Sequence, residues 1–259
     1  MSDTYAYGDL VLLVDRKKRR YLIRLTEGAS FHSHAGYVEH ADFVGRADGY
    51  LTKSTQGATY IAMRPTLSDF IMEMPRGAQV IYPKDIGAIL MLADIGPGMR
   101  VLEAGVGSGA LSMGMLRMGA NIVGYELRED FAAKAVSNVA AFLGTEAASR
   151  YRVELRDIYD GIDEHELDRV ILDLPEPWNV VKHAESALRP GGILFTYVPS
   201  AVQVAQFHEA LSGTQFAVAQ TIEVLHRGWY VKGAAVRPDH RMVGHTGFLT
   251  TTRLLGEPA

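Results

Sequence analysis

The sequence has no cysteine among its 259 residues. Disulfide bonds, thiolate metal sites and a cysteine nucleophile are therefore excluded, and the composition fits a reducing compartment. No apolar run approaches the roughly 20 residues that a membrane-spanning helix needs. The first residues, MSDTYAYGDL, also lack a basic segment followed by an apolar one, so no secretory signal is recognised. These absences predict a soluble, cytoplasmic protein without a membrane partner.

Basic residues are not in excess either. Lys and Arg number 26 against 30 Asp and Glu, which gives a formal net charge of -4. This balance argues against a general nucleic-acid binder, because phosphate contacts need Lys and Arg, although local basic clusters can override it. The 47% hydrophobic content is enough to bury a sizeable core, in one large domain or in one domain with a smaller appendage.

The pattern of apolar and turn residues along the chain changes near residue 65. Residues 1–65 contain short alternating segments separated by turn residues, which predicts a small antiparallel β domain. In 66–259, helical patterns alternate with apolar strands, and this favours a mostly parallel α/β sheet with a closing antiparallel pair after Phe216. The predicted helices are 84–93, 109–118, 129–142, 180–188 and 202–211, and the predicted strands are 100–104, 121–125, 151–156, 170–174 and 193–198.

A glycine-rich turn follows the first of these strands. The stretch VLEAGVGSGAL, residues 101–111, places Gly105, Gly107 and Gly109 where a strand gives way to a helix. Such glycines allow a tight turn and a close approach to a ligand, and the helix start offers free N–H groups. Glu126 ends the next strand, near the spacing at which an acid meets two ribose hydroxyls. A ligand-free turn and a solvated acid remain the alternatives.

Two further signals carry a family resemblance. Asp157 follows the third strand, and the stretch LRPGG, residues 188–192, precedes the fifth. With the glycine turn and Glu126, this order resembles the class I S-adenosylmethionine-dependent methyltransferases. The resemblance implies a Rossmann-like fold with a mostly parallel seven-stranded sheet and S-adenosylmethionine as cofactor. It assigns the methionine end, the ribose and the adenine to these positions: Glu103, Gly105, Val106, Gly107, Ser108, Gly109, Ala110, Glu126, Asp157 and Ile158.

The fourth strand ends in the stretch ILDLPEPW, residues 171–178. This exit resembles the Asp/Asn-Pro-Pro-aromatic motif of enzymes that methylate nucleobase nitrogens. A base leaves its stack to be methylated, and Pro175, Pro177 and Trp178 offer flat surfaces while Asp173 reads a polar edge. The alternative is a proline-rich turn in which Trp178 packs as a core residue.

Nearly the whole chain resembles the tRNA (adenine-N1)-methyltransferases that modify the T-loop adenine. The resemblance is carried by residues 75–85, by 237–249 and by HSHAG at 32–36. It implies that Gln79 and Tyr82 lie in the cofactor and target pocket and that the protein is a homotetramer acting on tRNA. Tyr197, at the end of the fifth strand, is a candidate for the same pocket or for the core, and Gln79 is alternatively a residue of a helix-start loop.

This resemblance explains the need for a carboxylate without a strong base. Adenine N1 has an in-plane lone pair and no proton, so correct positioning lets it attack a sulfonium methyl group directly. The product is a cationic base, and Asp173 would orient the exocyclic amino group and stabilise the developing charge. We therefore expect Asp173, Tyr82 and Tyr197 at the catalytic position, with Asp173 also beside the cofactor.

Two basic clusters are candidate tRNA contacts, with exposed charge lacking any partner as the alternative. The first lies at a predicted hairpin and the second near the C-terminus; their members are Lys17, Lys18, Arg19, Arg20, Arg227, Lys232, Arg237, Arg241 and His245. His32 and His34 form an H-x-H pair, but no partner at a suitable spacing supports a metal site, so we expect none.

Two rival functions stay open. A class I methyltransferase could act on a small molecule or on a protein carboxylate instead of tRNA. A non-catalytic tRNA-binding subunit would predict a degenerate glycine turn, whereas Gly105, Gly107, Gly109 and the acids are all present.

Overall fold

The computed structural model describes residues 4–74, 77 and 79–256 of the chain. The chain folds as two units, Met1–Pro75 and Arg76–Ala259. The domain boundary predicted after residue 65 lies just beyond the last strand of the first unit, which also includes one helix.

The first unit is the small antiparallel β domain that the sequence predicts. Its elements are β1 Leu10–Asp15, β2 Arg20–Arg24, β3 Ser30–Ser33, β4 Gly36–Glu39, β5 Tyr50–Lys53, β6 Thr59–Met63 and α1 Leu67–Glu73. Four strands form a sheet in the order β2-β1-β6-β5, and β3 pairs with β4. Alternate residues of β1, Val11 and Leu13, pack with Phe43 and Tyr60 in its core. Helix α1 was not predicted, although Thr66 and Asp69 form a capping box at its start.

The second unit is a sheet flanked by helices. Its helices are α2 Pro83–Leu92, α3 Ala110–Arg117, α4 Glu129–Ala148, α5 Val181–Ala187 and α6 Ala201–Ala210. Its strands are β7 Arg100–Ala104, β8 Asn121–Glu126, β9 Tyr151–Leu155, β10 Leu167–Leu172, β11 Leu188–Val198, β12 Phe216–Glu223, β13 Trp229–Lys232, β14 Ala235–Pro238 and β15 Phe248–Leu254. Seven strands form one sheet in the order β12-β15-β11-β10-β7-β8-β9, which confirms the predicted fold class.

The strand order places a crevice at the centre of this sheet. Strand β7 pairs in parallel with β8 on one side and with β10 on the other. The chain therefore builds the sheet outward from β7 first toward β8 and β9, and then on the opposite side with β10 and β11. In open α/β sheets, ligands bind at the carboxyl ends of the strands on either side of such a switch point. The glycine turn and ILDLPEPW both begin at this edge.

The closing antiparallel pair is also present. Strand β15 runs antiparallel to both β11 and β12. Strand β11 starts earlier than predicted, because Leu188 already pairs with Leu167 ahead of a register shift. Helix α4 extends past the predicted end at residue 142, and Gly144 interrupts it with φ 81° and ψ -179°. The principal deviations thus arise where long-range pairing or a single glycine alters a local pattern.

Candidate active site

The glycine turn is held against the end of β10. Gly105 has φ 80° and donates its N–H to the carbonyl of Tyr125 at 3.1 Å. A Cβ at Gly105 would overlap the carbonyl oxygen of Asp173. The Asp173 N–H in turn donates to the carbonyl of Ala104 at 2.9 Å. Only glycine fits this position, because both the positive φ and the missing side chain are required.

Glu126 fastens the same turn from the end of β8. One carboxylate oxygen accepts the N–H of Gly107 at 3.0 Å, and the other accepts the N–H of Arg128 at 3.1 Å. Gly107 has φ 56°, and a Cβ there would meet open space. Glu126 therefore shapes the loop as well as facing the cavity beside it.

One cavity at this edge, the acidic cavity, has a volume of about 130 Å³. Glu126, Asp157 and Ile158 line it together with Pro175 and Gly105. One oxygen of Asp157 accepts the N–H of Tyr159 at 2.9 Å, which orients the carboxylate. The two acids predicted from spacing are thus brought together on one cavity.

The glycine cavity shares Gly105 with the acidic cavity. Its lining residues include the predicted residues Gln79, Glu103, Gly105, Val106, Gly107, Ser108, Ala110 and Asp173. Gly109 precedes α3 in a left-handed conformation and packs against Ala135. A Cβ on Gly109 would lie only 3.2 Å from the Cα of Ala135. It therefore allows α3 to approach α4 closely.

Glu103 is the buried acid of the glycine cavity. It is 2% exposed, and its carboxylate accepts the Ser112 hydroxyl at 2.5 Å. The Tyr151 hydroxyl lies 3.0 Å from the same Ser112 oxygen. Burial raises the pKa of Glu103 to about 8, against a lowering effect of the Ser112 hydrogen bond, and the charges of Asp173 and Glu126 add to the rise. The carboxyl is thus protonated over much of the neutral range.

The tyrosine cavity is the largest of the three, at about 390 Å³, a size suited to a small organic group. Gln79, Tyr82, Asp173, Tyr197 and His245 line it, and its remaining lining residues are Val80, Ile81, Pro199, Val243 and Thr246. It shares Gln79 and Asp173 with the glycine cavity. Another cavity, lined by residues such as Arg100, Asn121 and Tyr151, lies at the opposite edge of the sheet and includes no motif glycine.

Asp173 therefore stands where the glycine cavity meets the tyrosine cavity. Enclosure by the protein raises the pKa of its carboxyl from 3.8 to about 7. The residue is nonetheless solvent-accessible, and it lines both cavities. Its protonation changes near neutral pH, as expected for a group that acts on a charge.

Tyr197 stands beside a buried polar network that no sequence motif indicates. Burial raises the pKa of its hydroxyl to about 12, Thr246 acts in the opposite direction, and the charges of Asp85 and Asp173 add to the rise. Asp85 is 0% exposed and pairs with Lys84 at 2.7 Å. An acid in the first turn of a helix is ordinarily a solvated dipole partner, so no sequence signal marked Asp85.

Pro175, Pro177 and Trp178, which follow β10, lie in different environments. Pro175 lines the acidic cavity, Pro177 is buried at the start of a 3₁₀ helix, and Trp178 is half-buried. None of these three is among the described residues that line the tyrosine cavity. Their predicted contact with a target base stays a prediction. The cavity walls come instead from 79–82, Asp173, Tyr197, Pro199, Val243, His245 and Thr246.

The predicted basic residues differ in their freedom to bind. Lys17 and Lys18 are exposed at the β1–β2 turn. Arg19 pairs with Asp15 at 2.6 Å and approaches His34, whereas Arg20 pairs with Asp69 at 2.7 Å. Two of the four cations therefore serve the local structure.

The C-terminal cluster also has local contacts. Arg237 lies over the Tyr230 ring at 4.7 Å, within the β13–β14 hairpin. His245 contacts Glu223 at 2.6 Å and the carbonyl of Pro199 at 2.7 Å, and the hydrogen bond to Glu223 raises its pKa. His245 is thereby held at the wall of the tyrosine cavity.

Within residues 4–74, 77 and 79–256, no group of three or more His, Cys, Asp or Glu side chains is arranged to hold a metal ion. His32 contacts Ser30 instead, at 3.1 Å. None of the helices in these ranges combines the length and apolar character needed to cross a membrane.

Comparison with known families accounts for this arrangement. Residues 58–237 match the family described as the tRNA methyltransferase complex GCD14 subunit, and residues 5–51 match the TrmI-like N-terminal family. The chain belongs to the TrmI family of tRNA (adenine-N1)-methyltransferases. This membership confirms the resemblance identified from the sequence motifs.

Three relatives illustrate the similarity. The chain is 37% identical over 251 residues to the Thermus thermophilus tRNA (adenine(58)-N(1))-methyltransferase TrmI, covering 96% of this chain and 98% of the relative. A crystal structure from Thermotoga maritima, described as a SAM-dependent O-methyltransferase, has a TM-score of 0.93 and 31% identity, covering 99% of this chain and 97% of that one. The Aquifex aeolicus tRNA (m1A58) methyltransferase TrmI has a TM-score of 0.86 and 25% identity, with coverage of 98% and 100%.

The titration of Glu103 gives a prediction for stability. Its pKa is raised from 4.5 to about 8, so the stability it contributes is complete below pH 4.5 and is lost as the pH rises through 8. The free energy of unfolding of the ligand-free protein should therefore fall across this window, by at most about 1.4 kcal/mol per pH unit from this group. Denaturant titrations at several pH values measure this slope.

Glu103→Gln keeps an acceptor for Ser112 and removes the titration. Its unfolding free energy should fall less steeply with pH than that of the parent protein. Because Asp173 titrates in both proteins, the difference between them isolates Glu103. Parallel slopes would show that Glu103 is ionised throughout.

Proposed function

We propose that this protein transfers a methyl group from S-adenosylmethionine to N1 of adenine 58 in the T-loop of tRNA. The observation that carries the proposal is the position of Asp173, at the boundary of the glycine cavity and the tyrosine cavity. A carboxylate there can face a methyl donor on one side and an acceptor on the other. Family membership supplies the identities of the donor and of the acceptor.

The residues around Gly105 fit S-adenosylmethionine. The glycine cavity and the acidic cavity share Gly105, and the turn leaves no Cβ between them. We assign the methionine end to the glycine cavity, beside Glu103, and the nucleoside to the acidic cavity. There Glu126 would accept from the ribose hydroxyls and Asp157 from the adenine amino group. When bound, the cofactor supplies a sulfonium methyl group as the electrophile.

The tyrosine cavity would hold the target adenine. Tyr82 and Tyr197 offer aromatic surfaces on which a base that has left its stack can lie. Asp173 would accept a hydrogen bond from the exocyclic amino group, which directs N1 toward the glycine cavity. As the ring becomes cationic, the negative charge of Asp173 would stabilise it more than it stabilises the neutral base. No proton leaves N1, so the site requires no separate base.

The exposed lysines of the first unit would bind tRNA backbone. Lys17 and Lys18 project from a turn whose shape is fixed by Asp15, which accepts the backbone N–H groups of Lys17 at 2.8 Å and of Arg19 at 2.9 Å. Further contacts are assigned to the C-terminal segment that includes Arg237 and His245.

The homotetramer expected from the family resemblance stays a prediction. Sedimentation equilibrium of the purified protein tests it by measuring the mass of the assembly.

Mass spectrometry of tRNA nucleosides tests the proposed function. Unmodified tRNA incubated with the protein and labelled S-adenosylmethionine should gain 1-methyladenosine at position 58. A transcript with guanine at position 58 is the matched control and should gain none there. Absence of 1-methyladenosine from the first tRNA would refute the proposal.

One observation favours a second candidate function. The Thermotoga maritima relative, with a TM-score of 0.93, is described as an O-methyltransferase. A carboxylate-bearing small molecule or protein would then be the acceptor, and Asp173 would repel it unless protonated. Incubation with a metabolite extract and labelled cofactor distinguishes the two acceptors. A non-catalytic tRNA-binding subunit is disfavoured, since Glu103, Glu126 and the glycine turn retain a complete set of contacts.

Asp173→Asn should reduce methyl transfer to tRNA by about 10² to 10³-fold in single turnover at saturating substrates. Asn keeps an acceptor for the amino group but lacks the charge that offsets the cationic product. The parent rate should rise with pH through about 7, as the Asp173 carboxyl ionises, and the variant should lose this rise. Cofactor affinity, measured by calorimetry, should change little.

Asp160→Asn is the matched control, because Asp160 is an exposed acid outside these cavities. It should retain the parental rate and pH profile. A parental rate in Asp173→Asn would make the carboxylate structural.

Glu126→Gln should weaken S-adenosylmethionine binding by roughly 10 to 100-fold, the equivalent of about 1.5–3 kcal/mol for a hydrogen bond to a charged group. In the amide, one of the two oxygens that accept backbone N–H groups is replaced by an NH₂ group, which cannot accept, so one of these two hydrogen bonds is lost. Calorimetry should show this loss, whereas tRNA affinity should be preserved. The exposed neighbour Glu129, changed to Gln, is the control. An unchanged affinity would limit Glu126 to loop anchoring.

Changing Lys17 and Lys18 together to Gln should weaken tRNA binding and lower its salt dependence, by about one unit of logarithmic slope for each lost phosphate contact. Arg19 and Arg20 are left intact because each is already paired with a carboxylate, Asp15 and Asp69 respectively. The charge-matched control changes the exposed Arg117 and Lys182 to Gln. Filter binding over a salt series measures both variants, and identical slopes would mean that the turn is only solvated.

A further inference from the structure

Lys84 joins three separate segments behind the tyrosine cavity. Its ammonium donates to Asp85 Oδ1 at 2.7 Å, to the carbonyl of Val224 at 2.7 Å and to Thr246 Oγ1 at 2.6 Å. These partners lie in the first turn of α2, just after β12 and just before β15. All three ammonium protons are used, so the lysine fixes the relative positions of these segments.

Asp85 is the acceptor at the centre of this network. Its Oδ1 accepts from Lys84, and its Oδ2 accepts the Thr246 hydroxyl at 2.7 Å. The Tyr197 hydroxyl lies beside this pair, because a Cβ on Gly247, the neighbour of Thr246, would come within 2.8 Å of its oxygen. Thr246 gives its only hydroxyl proton to Asp85, and the Asp85 carboxylate, paired with Lys84, can only accept, so a hydrogen bond from Tyr197 to either residue must use the Tyr197 proton. The remaining lone pairs of the Tyr197 oxygen are then free to accept.

The ring of Tyr197 is restrained as well as its hydroxyl. A Cβ on Gly247 would overlap the Tyr197 ring at Cζ, so the backbone of Gly247 lies directly against the ring. Gly247 follows Thr246, which Lys84 and Asp85 hold. The orientation of the ring thus depends on the same segment as the orientation of the hydroxyl.

We infer that Lys84, Asp85 and Thr246 are positioning residues that fix Tyr197 as a hydrogen-bond acceptor at the wall of the tyrosine cavity. The group that they prepare the cavity to receive has a donor and gains positive charge on reaction, as an aminopurine does when its ring nitrogen is methylated. The identity of that group rests on the proposed function. The network adds no net charge, since Lys84 balances Asp85, and Asp173 supplies the counter-charge.

A double-mutant cycle tests whether Asp85 and Thr246 act through the Tyr197 hydroxyl. Asp85→Asn and Thr246→Val should each slow single-turnover methyl transfer to tRNA, roughly tenfold, with S-adenosylmethionine affinity unchanged. In the Tyr197→Phe background, the same changes should cause little further slowing. Thr246→Val keeps the Lys84–Asp85 ion pair, so it can test the inference alone if the Asp85→Asn protein does not fold. Equal slowing in both backgrounds would overturn the inference.

Tyrosine NMR gives a readout that does not depend on methyl transfer. In protein labelled with carbon-13 at tyrosine Cζ, the Tyr197 signal is the one missing from Tyr197→Phe. At neutral pH it should shift in Asp85→Asn, which removes the charge that faces the hydroxyl, and in Thr246→Val, which removes the hydroxyl that holds Asp85 Oδ2 in place. Thr252→Val, which removes a buried hydroxyl bonded to the carbonyl of Ala217, should leave it in place.

An unmoved Tyr197 signal in both variants would overturn the inference. If the parent protein failed to methylate tRNA, the proposed function would fall, while the NMR result would still decide whether Asp85 holds Tyr197. The two failures are therefore distinguishable.

Discussion

The absence of a side chain at Gly105 is the constraint on which the site depends. It allows the turn after β7 to lie directly against the carbonyl of Asp173, and Asp173 returns a hydrogen bond to Ala104. Strands β7 and β10 are therefore locked together at the switch point of the sheet. A larger residue would separate them, and the glycine cavity and the Asp173 carboxylate would no longer meet.

Three carboxylates at this edge occupy different environments, which divides their tasks. Glu126 accepts two backbone N–H groups and so maintains the loop. Glu103 is buried with one hydroxyl donor, and its pKa of about 8 keeps it neutral without a cationic neighbour. Asp173 faces two cavities with a pKa near 7, so its charge responds to what occupies them. Burial and local donors, more than residue type, separate these roles.

The sequence was most informative where a function is encoded in consecutive residues. The glycine turn, the strand-end acids and the α/β alternation were all predicted, because each depends on local backbone geometry or on a period of burial. The partner of Arg20 was not predicted, since Asp69 lies in a helix that the sequence pattern did not reveal. The network around Asp85 joins positions 140 to 162 residues apart, so no local pattern could indicate it. The placement of Pro177 and Trp178 likewise follows from tertiary packing.

The buried pair of Lys84 and Asp85 is better explained by orientation than by stability. Apolar residues of similar volume often replace a buried ion pair with no loss, whereas removing one partner costs about 3–5 kcal/mol. Apolar side chains could fill this volume, but they could not accept the proton of Tyr197 or hold the Thr246 hydroxyl. Because the charges of the pair cancel, the tyrosine cavity gains a fixed hydroxyl direction without a second net charge beside Asp173. Asp173 can then respond alone to positive charge that develops in the cavity.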